Sequence, residues 1–502
     1  MSKVAFRVDA SLQIGTGHVM RCMTLAEMLK QRGAHIRFIS RHMPEHLQRQ
    51  LQNNGYELYM LPLDESAYES RLAHAAWLGT TQEIDAQASV EVLSDTHWDW
   101  LVVDHYALNA EWESRLREVA GNILVIDDLA DRQHDCDMLL DQNYYADMHT
   151  RYLGKVPEYC SLLLGPRYAL LREEFLDLHK AFLPCREHVE RILVCFGGMD
   201  SANYTSKAIA ALTPIISEVH VDVVIGAKHP ALESVRAECM RLGFECHVQT
   251  NRMAQLMAQA DLAIGAGGIT TWERCCLGLP SITIAVAENQ KTQLRDAAAA
   301  GLVFMPDANE DGSLVGMGNH LLSLMGNFSL RSLISRNGLE AVDGKGARRA
   351  VSRMGFVGLL MRAAVHEDMH KLFDWRNHPS IRAVSRNSEP LAWESHKRWF
   401  DSVIADNKKH LLIAESDSDE IGVVRFDMMH DEAEISIYLV PDSDNSGKGS
   451  ELLRAAELWL AEHFPNVLKL RAEVLGANDR SQHLFQSNGY LIETTTYVKR
   501  LH

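Results

Sequence analysis

Gly15-Thr16-Gly17-His18-Val19-Met20-Arg21 follows the apolar run Val4-Ala-Phe-Arg-Val-Asp9, and after it Val19, Met23, Ala26 and Leu29 recur at helical spacing as far as Gly33. A strand that passes through glycines into a helix is a βα turn. Gly15 and Gly17 let backbone N–H groups approach a ligand, and a helix beginning at His18 turns its positive dipole end to the same place, so the turn suits an anion. A dinucleotide fingerprint needs a third glycine where Met20 stands. The second strand, about Ala34 to Ile39, also ends in Ser40 and Arg41 rather than an acid, which disfavours NAD. His18 has two readings here: a neutral base beside a bound anion, or a cap on the helix.

The chain has 502 residues, 46% hydrophobic and 23% charged. That is a soluble globular composition, long enough for three domains of roughly 150 residues. No apolar run reaches the ~18 residues of a membrane span, and the first residues enter a strand directly, so a cytoplasmic protein is expected. A net charge of −17 opposes nucleic-acid binding but allows a locally positive pocket for an acidic small molecule. The nine cysteines show no Cys-x-x-Cys pair, so they are expected as reduced, mostly buried thiols with no metal role. The acidic stretch Asp417 to Glu420 reads as a solvated turn.

From residue 3 to about 165, strand-like runs at Ala34–Ile39, Trp100–Val103, Ile123–Ile126, Met138–Leu140 and Leu162–Leu164 alternate with helical patterns, the signature of a parallel sheet covered on both faces. Asp104-His105-Tyr106 and Asp127-Asp128 end such runs, where ligands of these sheets gather. A second series starts at Arg191–Phe196, followed by Gly197-Gly198-Met199-Asp200 and a helix from about Ser201. Further on, Asp261–Ile264 leads into Gly265-Ala-Gly267-Gly268, a helix with Thr270, Thr271 and Glu273, the strand Ser281–Val286, and Glu288-Asn289-Gln290. A glycine turn before a helix suits a diphosphate, and a carboxylate one turn into that helix can accept both hydroxyls of a ribose. Alternatively Glu273 is an exposed helix residue and Asn289-Gln290 an N-cap. Two halves, each with a glycine-lined helix start, point to a cleft that binds a nucleotide-sugar.

Arg7-Val-Asp9 with Gly15-Thr-Gly-His18 and Arg21, Asp104-His-Tyr106, Gly165-Pro-Arg-Tyr-Ala-Leu-Leu-Arg172-Glu-Glu-Phe175, Gly197-Gly198-x-Asp200 and Glu288-Asn-Gln290 together resemble the nucleotide-sugar hydrolases of pseudaminic acid biosynthesis. The resemblance covers residues 1 to 345 and implies two Rossmann-like domains in the GT-B arrangement, at 1–175 and 185–345. It implies hydrolysis of UDP-2,4-diacetamido-2,4,6-trideoxy-β-L-altropyranose to free sugar and UDP with inversion, in a pathway that serves flagellin glycosylation. It casts His18 as the base or positioner of water, and Gly17, Gly267 and Gly268 as the diphosphate border. Glu273 falls to the ribose, and Asp9, Arg21, Tyr106, Asn289 and Gln290 to the substrate and its surroundings. It implies no metal and no cofactor for this step. A GT-B glycosyltransferase that moves the sugar to an acceptor is the alternative.

Glycine and charge mix at Gly338-Leu-Glu-Ala-Val-Asp-Gly-Lys-Gly-Ala-Arg-Arg349, which reads as a boundary at about 338–355, and a third, α+β domain is expected over 356–502. Its strands read at Phe356–Val365, Leu411–Ala414, Ile421–Phe426, Ala433–Val440 and Lys469–Glu473, its helices near Glu394–Ile404 and Glu451–His463. Ile437-Tyr-Leu-Val440-Pro441 and the loop Asp444-Asn-Ser-Gly447-Lys-Gly449 resemble the acyl-CoA loop of GCN5-related N-acetyltransferases (GNAT), with Asp444 where a basic or amide residue is usual. Asn478-Asp-Arg-Ser481-Gln-His-Leu-Phe485-x-x-x-Gly489-Tyr490 is similar to that family's last helix and strand. The resemblance implies acetyl-CoA as co-substrate, with Val440, Gly447, Gly449 and Asn478 along it. Phe485 stands where many relatives carry an acidic tyrosine, which leaves Tyr490, Tyr438 and water for that role. Trp375-Arg-Asn377 and His396-x-x-Trp399 resemble the subgroup that acetylates the 4-amino group of UDP-linked amino-sugars, although each tryptophan alone reads as core packing. Glu434 is either a proton carrier or simply exposed. The third domain could instead be a non-catalytic acyl-CoA module.

Overall fold

The computed structural model describes residues 2–11, 13–63, 74–180, 185–214, 219–306, 316–356, 358–385, 387–416, 419–442, 447–476 and 478–494. Asp417 and Asp444 lie outside the described residues. The chain divides into two compact units, one running to Met354 and the other from Gly355 onward.

The first unit contains two parallel sheets. The first is built from β1 (Lys3–Val8), β2 (His35–Ser40), β3 (Glu57–Met60), β4 (Trp98–Asp104), β5 (Ala120–Ile126), β6 (Met138–Asp141) and β7 (Ser161–Leu164), in the order β3-β2-β1-β4-β5-β6-β7. All its neighbours pair in parallel. Val4, Ala5, Phe6 and Val8 are all buried, because helices cover both faces and a central strand then needs a continuous apolar run. The second sheet takes β8 (Arg191–Cys195), β9 (His220–Ile225), β10 (Glu245–Val248), β11 (Leu262–Ala266) and β12 (Ser281–Ile284), in the order β10-β9-β8-β11-β12, again parallel throughout.

Strand order reverses between β1 and β4 in the first sheet and between β8 and β11 in the second. A crevice opens at such a reversal, outside the carboxyl ends of the strands. The Gly15–Gly17 turn and Asp104-His105-Tyr106 flank the first crevice, and Gly197-Gly198 with Gly267-Gly268 flank the second.

The mixed glycine and charge segment at 338–355 is largely helical, and the division between the two units falls at its end. It forms the end of the helix Phe328–Ala341 and the helix Gly346–Arg353. Gly338 lets the first of these helices pack closely on another, since a Cβ there would stand 3.1 Å from Cys275 Cα and the neighbour would have to give. The second returns to the first half: Arg349 Nη1 donates to Arg167 O at 2.8 Å, Arg348 pairs with Glu173, and Trp100 Nε1 donates to Met354 O at 3.0 Å. Glycine here serves close packing, which local sequence cannot distinguish from a turn.

The second unit has β13 (Leu360–Ala363), β14 (Lys409–Glu415), β15 (Glu420–Met429), β16 (Glu432–Leu439) and β17 (Lys469–Ala472), in sequential order. The first four are antiparallel and β17 is parallel to β16. One face packs on the helix Gly449–His463 through Leu452, Leu453, Ala456 and Leu460. The other carries Leu411, Ile413 and Val423 against Leu372, Phe400 and Val403.

In the second sheet, a Cβ on Gly226 would lie 2.0 Å from Gly198 O. Gly226→Ala is therefore expected to cost ~1–3 kcal/mol, through a backbone shift at the carboxyl ends of β8 and β9. A urea titration followed by circular dichroism checks this, with a lower midpoint than the parent expected.

Candidate active site

The helix Gly17–Gln31 starts beneath the first crevice, and His18 enters it 8% exposed. Asp104 ends β4, the neighbour of β1, and its Oδ1 lies 2.5 Å from His18 Nδ1. Arg21, one turn further along the helix, grips the same carboxylate in bidentate fashion, Nε to Oδ2 and Nη2 to Oδ1, both at 2.6 Å. An ionised carboxylate only accepts, so Nδ1 carries the proton and the imidazole is the Nδ1–H tautomer. Arg21 Nη2 and Nδ1 are then two donors in contact at 3.2 Å rather than a bonded pair. Nε2 has no hydrogen-bond partner among the described residues. His18 does not cap the helix, because its ring is committed to Asp104.

Burial by itself would raise the Asp104 carboxyl, but the Arg21 guanidinium and the hydrogen bonds from Arg21 and His18 outweigh it and hold it well below the usual range. The edge of the His18 ring meets Tyr106, with centroids 4.7 Å apart at 81°. Burial and the nearby Asp128 push the Tyr106 phenol up, so it stays protonated. His74 and Trp77 extend this aromatic surface, their rings 5.4 and 5.7 Å from Tyr106.

Two residues expected at the substrate and its surroundings, Asp9 and Arg21, are engaged with buried partners. Asp9 is fully buried, and its oxygens accept from Arg7 at 2.6 and 3.1 Å, Ser40 Oγ at 2.9 Å and Arg41 N at 2.7 Å, with His105 Nε2 3.2 Å away. Arg7 and Arg41 also bind Asp85, which takes a further bond from Trp112 Nε1. With its lone pairs filled, Asp9 fixes the loops after β1, β2 and β4 from below instead of contacting a ligand. The Arg21 guanidinium is likewise consumed by Asp104 and, at 3.3 Å, by Asp128.

In the second crevice, Gly268 adopts φ 92° and caps the helix Ile269–Cys276. The side chain of Gln290 covers this turn: a Cβ on Gly267 would be 3.0 Å from Gln290 Oε1, and that oxygen accepts from Val286 N at 3.0 Å. Gln290 thus ties down the loop before the helix Glu288–Ala299, whose N-cap is Ala287 without a side-chain capping bond, while Asn289 beside it is exposed. Glu273 is not an exposed helix residue. Its carboxyl is nearly buried, raised by that burial, and its nearest ion-pair partner among the described residues is Arg172 Nη2 at 3.8 Å.

Asn143, just beyond β6, joins the halves. Its Nδ2 donates to Asp128 Oδ2 at 3.3 Å, and its Oδ1 accepts from Trp272 Nε1 at 3.0 Å and Gln293 Nε2 at 2.9 Å. Trp272 and Gln293 belong to the helices that begin at the Gly268 turn and at Glu288. A polar chain therefore runs from His18 through Asp104, Arg21, Asp128 and Asn143 to the second half. Sequence reading did not single out Asn143, although its place after a parallel strand was an available signal.

In the second unit, the β16–β17 ladder runs only from Glu432↔Lys469 to Ile435↔Ala472, so Ser436–Leu439 have no β17 partner. Val440, next to this open stretch, donates its N–H to Ile421 O at 2.9 Å. Gly447, at φ 88°, and Gly449 lead into the helix Gly449–His463, and apart from its chain neighbours no described residue has an atom within 4 Å of a Cβ built on Gly447. Asn478 caps the helix Asp479–Ser487 through a bond from Ser481 N at 3.1 Å. Tyr490 Oη donates to Glu457 at 2.9 Å and its ring stacks edgewise on Phe485. Tyr438 lies on the open stretch of β16, its phenol pushed up by burial. Trp375 packs into the core against that face, His396 is buried with Nε2 3.1 Å from Met369 O, Trp399 is largely exposed and Glu434 is half-buried.

Residues 358–491 match the acetyltransferase (GNAT) domain family. The first unit has the fold of GT-B glycosyltransferases: the structure of Phytolacca americana UGT2, complexed with UDP-2fluoro-glucose and pterostilbene, superposes with a TM-score of 0.52 at 12% identity, covering 71% of this chain and 99% of that one. An uncharacterised protein of Methanocaldococcus jannaschii is 22% identical over 97% of this chain and 96% of its own length. The UDP-2,4-diacetamido-2,4,6-trideoxy-beta-L-altropyranose hydrolase of Campylobacter jejuni is 26% identical over 58% of this chain and 94% of its own. The chain thus joins a GT-B-type module, homologous to that hydrolase, to a GNAT acyltransferase domain. Among the described residues, no helix is long and apolar enough to cross a membrane.

Asp104→Asn leaves the buried Arg21 guanidinium with only the more distant Asp128 as counter-charge and should cost ~3–5 kcal/mol. Because folding depresses the Asp104 pKa, its contribution is complete above the ordinary carboxylate value of about 4 and fades as pH falls below that. Below pH ~4 the parent should therefore lose stability more steeply than Asp104→Asn, by up to ~1.4 kcal/mol per pH unit. Urea midpoints between pH 2.5 and 7 measure the difference in slope.

Proposed function

We propose that the first unit hydrolyses a UDP-linked diacetamido-trideoxy-hexose, of the kind named for the Campylobacter relative, to free sugar and UDP. The observation that carries this reading is the His18–Asp104 pair at the β1/β4 reversal. Asp104 holds the proton on Nδ1, so Nε2 is the lone pair offered to a ligand. A water hydrogen-bonded to Nε2 is aimed at the anomeric carbon, and its proton passes to Nε2 as the C–O bond to UDP breaks. UDP departs as a stabilised anion, so the paired carboxylates of ordinary glycoside hydrolysis are not needed. One displacement at that carbon inverts its configuration.

The second half supplies the nucleotide site in this reading. The helix starts at Gly268 and Glu288 direct N–H groups and positive dipole ends at the diphosphate, with Gly17 bordering it from the first half. Glu273 accepts the ribose hydroxyls, which its weakly paired carboxyl suits. Tyr106, Gln290 and the exposed Asn289 face the sugar side. Asp9 and Arg21 act by positioning.

The GNAT domain acetylates the 4-amino group of the UDP-4-amino-4,6-dideoxy-sugar precursor, so both modules serve consecutive steps of pseudaminic (nonulosonic) acid synthesis. The open edge of β16 takes the pantetheine arm of acetyl-CoA, with Val440 and Asn478 along it, and Gly447 and Gly449 receive the pyrophosphate. Tyr438 is the better placed acid for the departing thiolate, because the Tyr490 hydroxyl is already bonded to Glu457.

His18→Ala should lower UDP release at least ~100-fold while calorimetric binding of the UDP-sugar persists. Near-normal turnover in a folded variant removes His18 from the mechanism. Incubating the full chain with acetyl-CoA and UDP-4-amino-sugars should yield free diacetamido-sugar plus UDP by mass spectrometry. UDP release that requires an added acceptor would instead identify a glycosyltransferase. In the same assay Tyr438→Phe should slow acetyl transfer ~100-fold or more, whereas Tyr490→Phe leaves it within a few-fold.

A further inference from the structure

His220-x-Asp222 and Glu245-x-His247 lie on the adjacent parallel strands β9 and β10, with Glu245 in register with Asp222. Side chains two apart on a strand share a face, and so do partners in register, so all four project from one side of the sheet. His247 Nε2 is 2.8 Å and His220 Nε2 3.5 Å from Asp222 Oδ1, while the two Glu245 oxygens lie 3.7 Å from His220 Nε2 and 3.8 Å from His247 Nε2. His220 Nε2 is buried and has no hydrogen-bond partner among the described residues.

We propose that these four residues form a zinc-class metal site. Zinc–ligand bonds of ~2.0–2.1 Å in a tetrahedron place the ligand atoms about 3.3–3.4 Å apart. The His220 separations from Asp222 and Glu245, 3.5 and 3.7 Å, are within half an ångström of that edge, and the ligand atoms of His220, Asp222 and Glu245 all lie within 4.8 Å of one another, while His247 stands ready as the fourth ligand through its hydrogen bond to Asp222. Two imidazoles with two carboxylates match a borderline cation such as Zn²⁺, whereas Mg²⁺ and Ca²⁺ favour all-oxygen sets. Arg191 Nη1 donates to the other Asp222 oxygen at 2.8 Å, which orients the carboxylate so that Oδ1 faces the imidazoles. On binding, the proton on His247 Nε2 moves to Nδ1, which frees the Nε2 lone pair, and both imidazoles coordinate as neutral ligands.

His220 and Glu245 begin β9 and β10, whereas Gly197-Gly198 and Gly267-Gly268 follow the carboxyl ends of β8 and β11. The ion is therefore a structural one that ties the edge strand β10 to its neighbour, independent of the sugar chemistry. Edge strands gain most from such a tie, since one side of their ladder is unpaired.

The test uses the full chain, stripped with a chelator and titrated with Co²⁺ as a spectroscopic stand-in. One equivalent should produce the intense visible absorption of four-coordinate cobalt, Zn²⁺ should abolish it, and Zn²⁺ should raise the Tm by several degrees. His220→Ala and His247→Ala should each weaken Co²⁺ binding at least tenfold, with UDP-sugar turnover unchanged. His247→Cys should retain the ion and add a sulfur-to-cobalt charge-transfer band in the near ultraviolet, a signal that a misfolded variant cannot imitate. No visible band at one equivalent, a band that survives both alanine substitutions, or no new band in His247→Cys overturns the site.

Discussion

Asp104 carries one full negative charge inside the protein, and everything at the first crevice is arranged around neutralising it. An unpaired buried ion costs several kcal/mol, so the carboxylate must be met by matched donors. Arg21 meets it with two, and His18 with a third. The same requirement repeats one layer below, where Arg7 and Arg41 satisfy Asp9 and Asp85. These pairs convert a crevice that the strand order creates into one whose loops and imidazole tautomer are fixed. The orientation of His18 follows from electrostatics two bonds away from the nitrogen that faces the site.

The polar chain does not stop at the first half. Asp128 shares Arg21 with Asp104, and Asn143 passes from Asp128 to Trp272 and Gln293. The glycine turn of the second crevice and the histidine of the first are therefore held by one connected set of hydrogen bonds. Removing any buried member leaves another polar group without a partner, which is why such networks hold a single geometry. A GT-B-type module gains from this, because the group on its nucleotide side and the group on its sugar side must face the same molecule.

Much of this was legible in the chain. The parallel α/β alternation, the glycine turns at Gly15–Gly17 and Gly267-Gly268, and the antiparallel strands after residue 360 all follow from local periodicity and turn chemistry. Three strands escaped because their signals are weak. β3 and β10 are four-residue edge strands with polar members, and β9 places His220 and Asp222 inside an otherwise apolar run. The segment at 338–355 reads as a boundary and the division between the units falls at its end, but its helices were not legible, because glycines that serve close helix packing look the same in sequence as glycines of a turn. At the site, His18, Tyr106 and Glu273 stand in the crevices, whereas Asp9 and Arg21 turn inward to buried partners. Both are polar residues at a strand end or in a first helical turn, so no local pattern separates a ligand contact from a buried ion pair.

By itself the sequence determined the kinds and order of the elements, since periods of 2 and 3.6 residues and the backbone freedom of glycine act over a few positions. It also determined that helix N-termini would face the carboxyl ends of parallel strands. Tertiary structure alone decided which charges meet. His18 and Asp104 are 86 residues apart in the chain, Arg7 and Asp85 are 78 apart, and Asn143 and Gln293 are 150 apart. Coulombic and hydrogen-bond partners are set by proximity after folding. For that reason the tautomer of His18, the burial of Asp9 and the gathering of His220, Asp222, Glu245 and His247 on one face are properties of the fold.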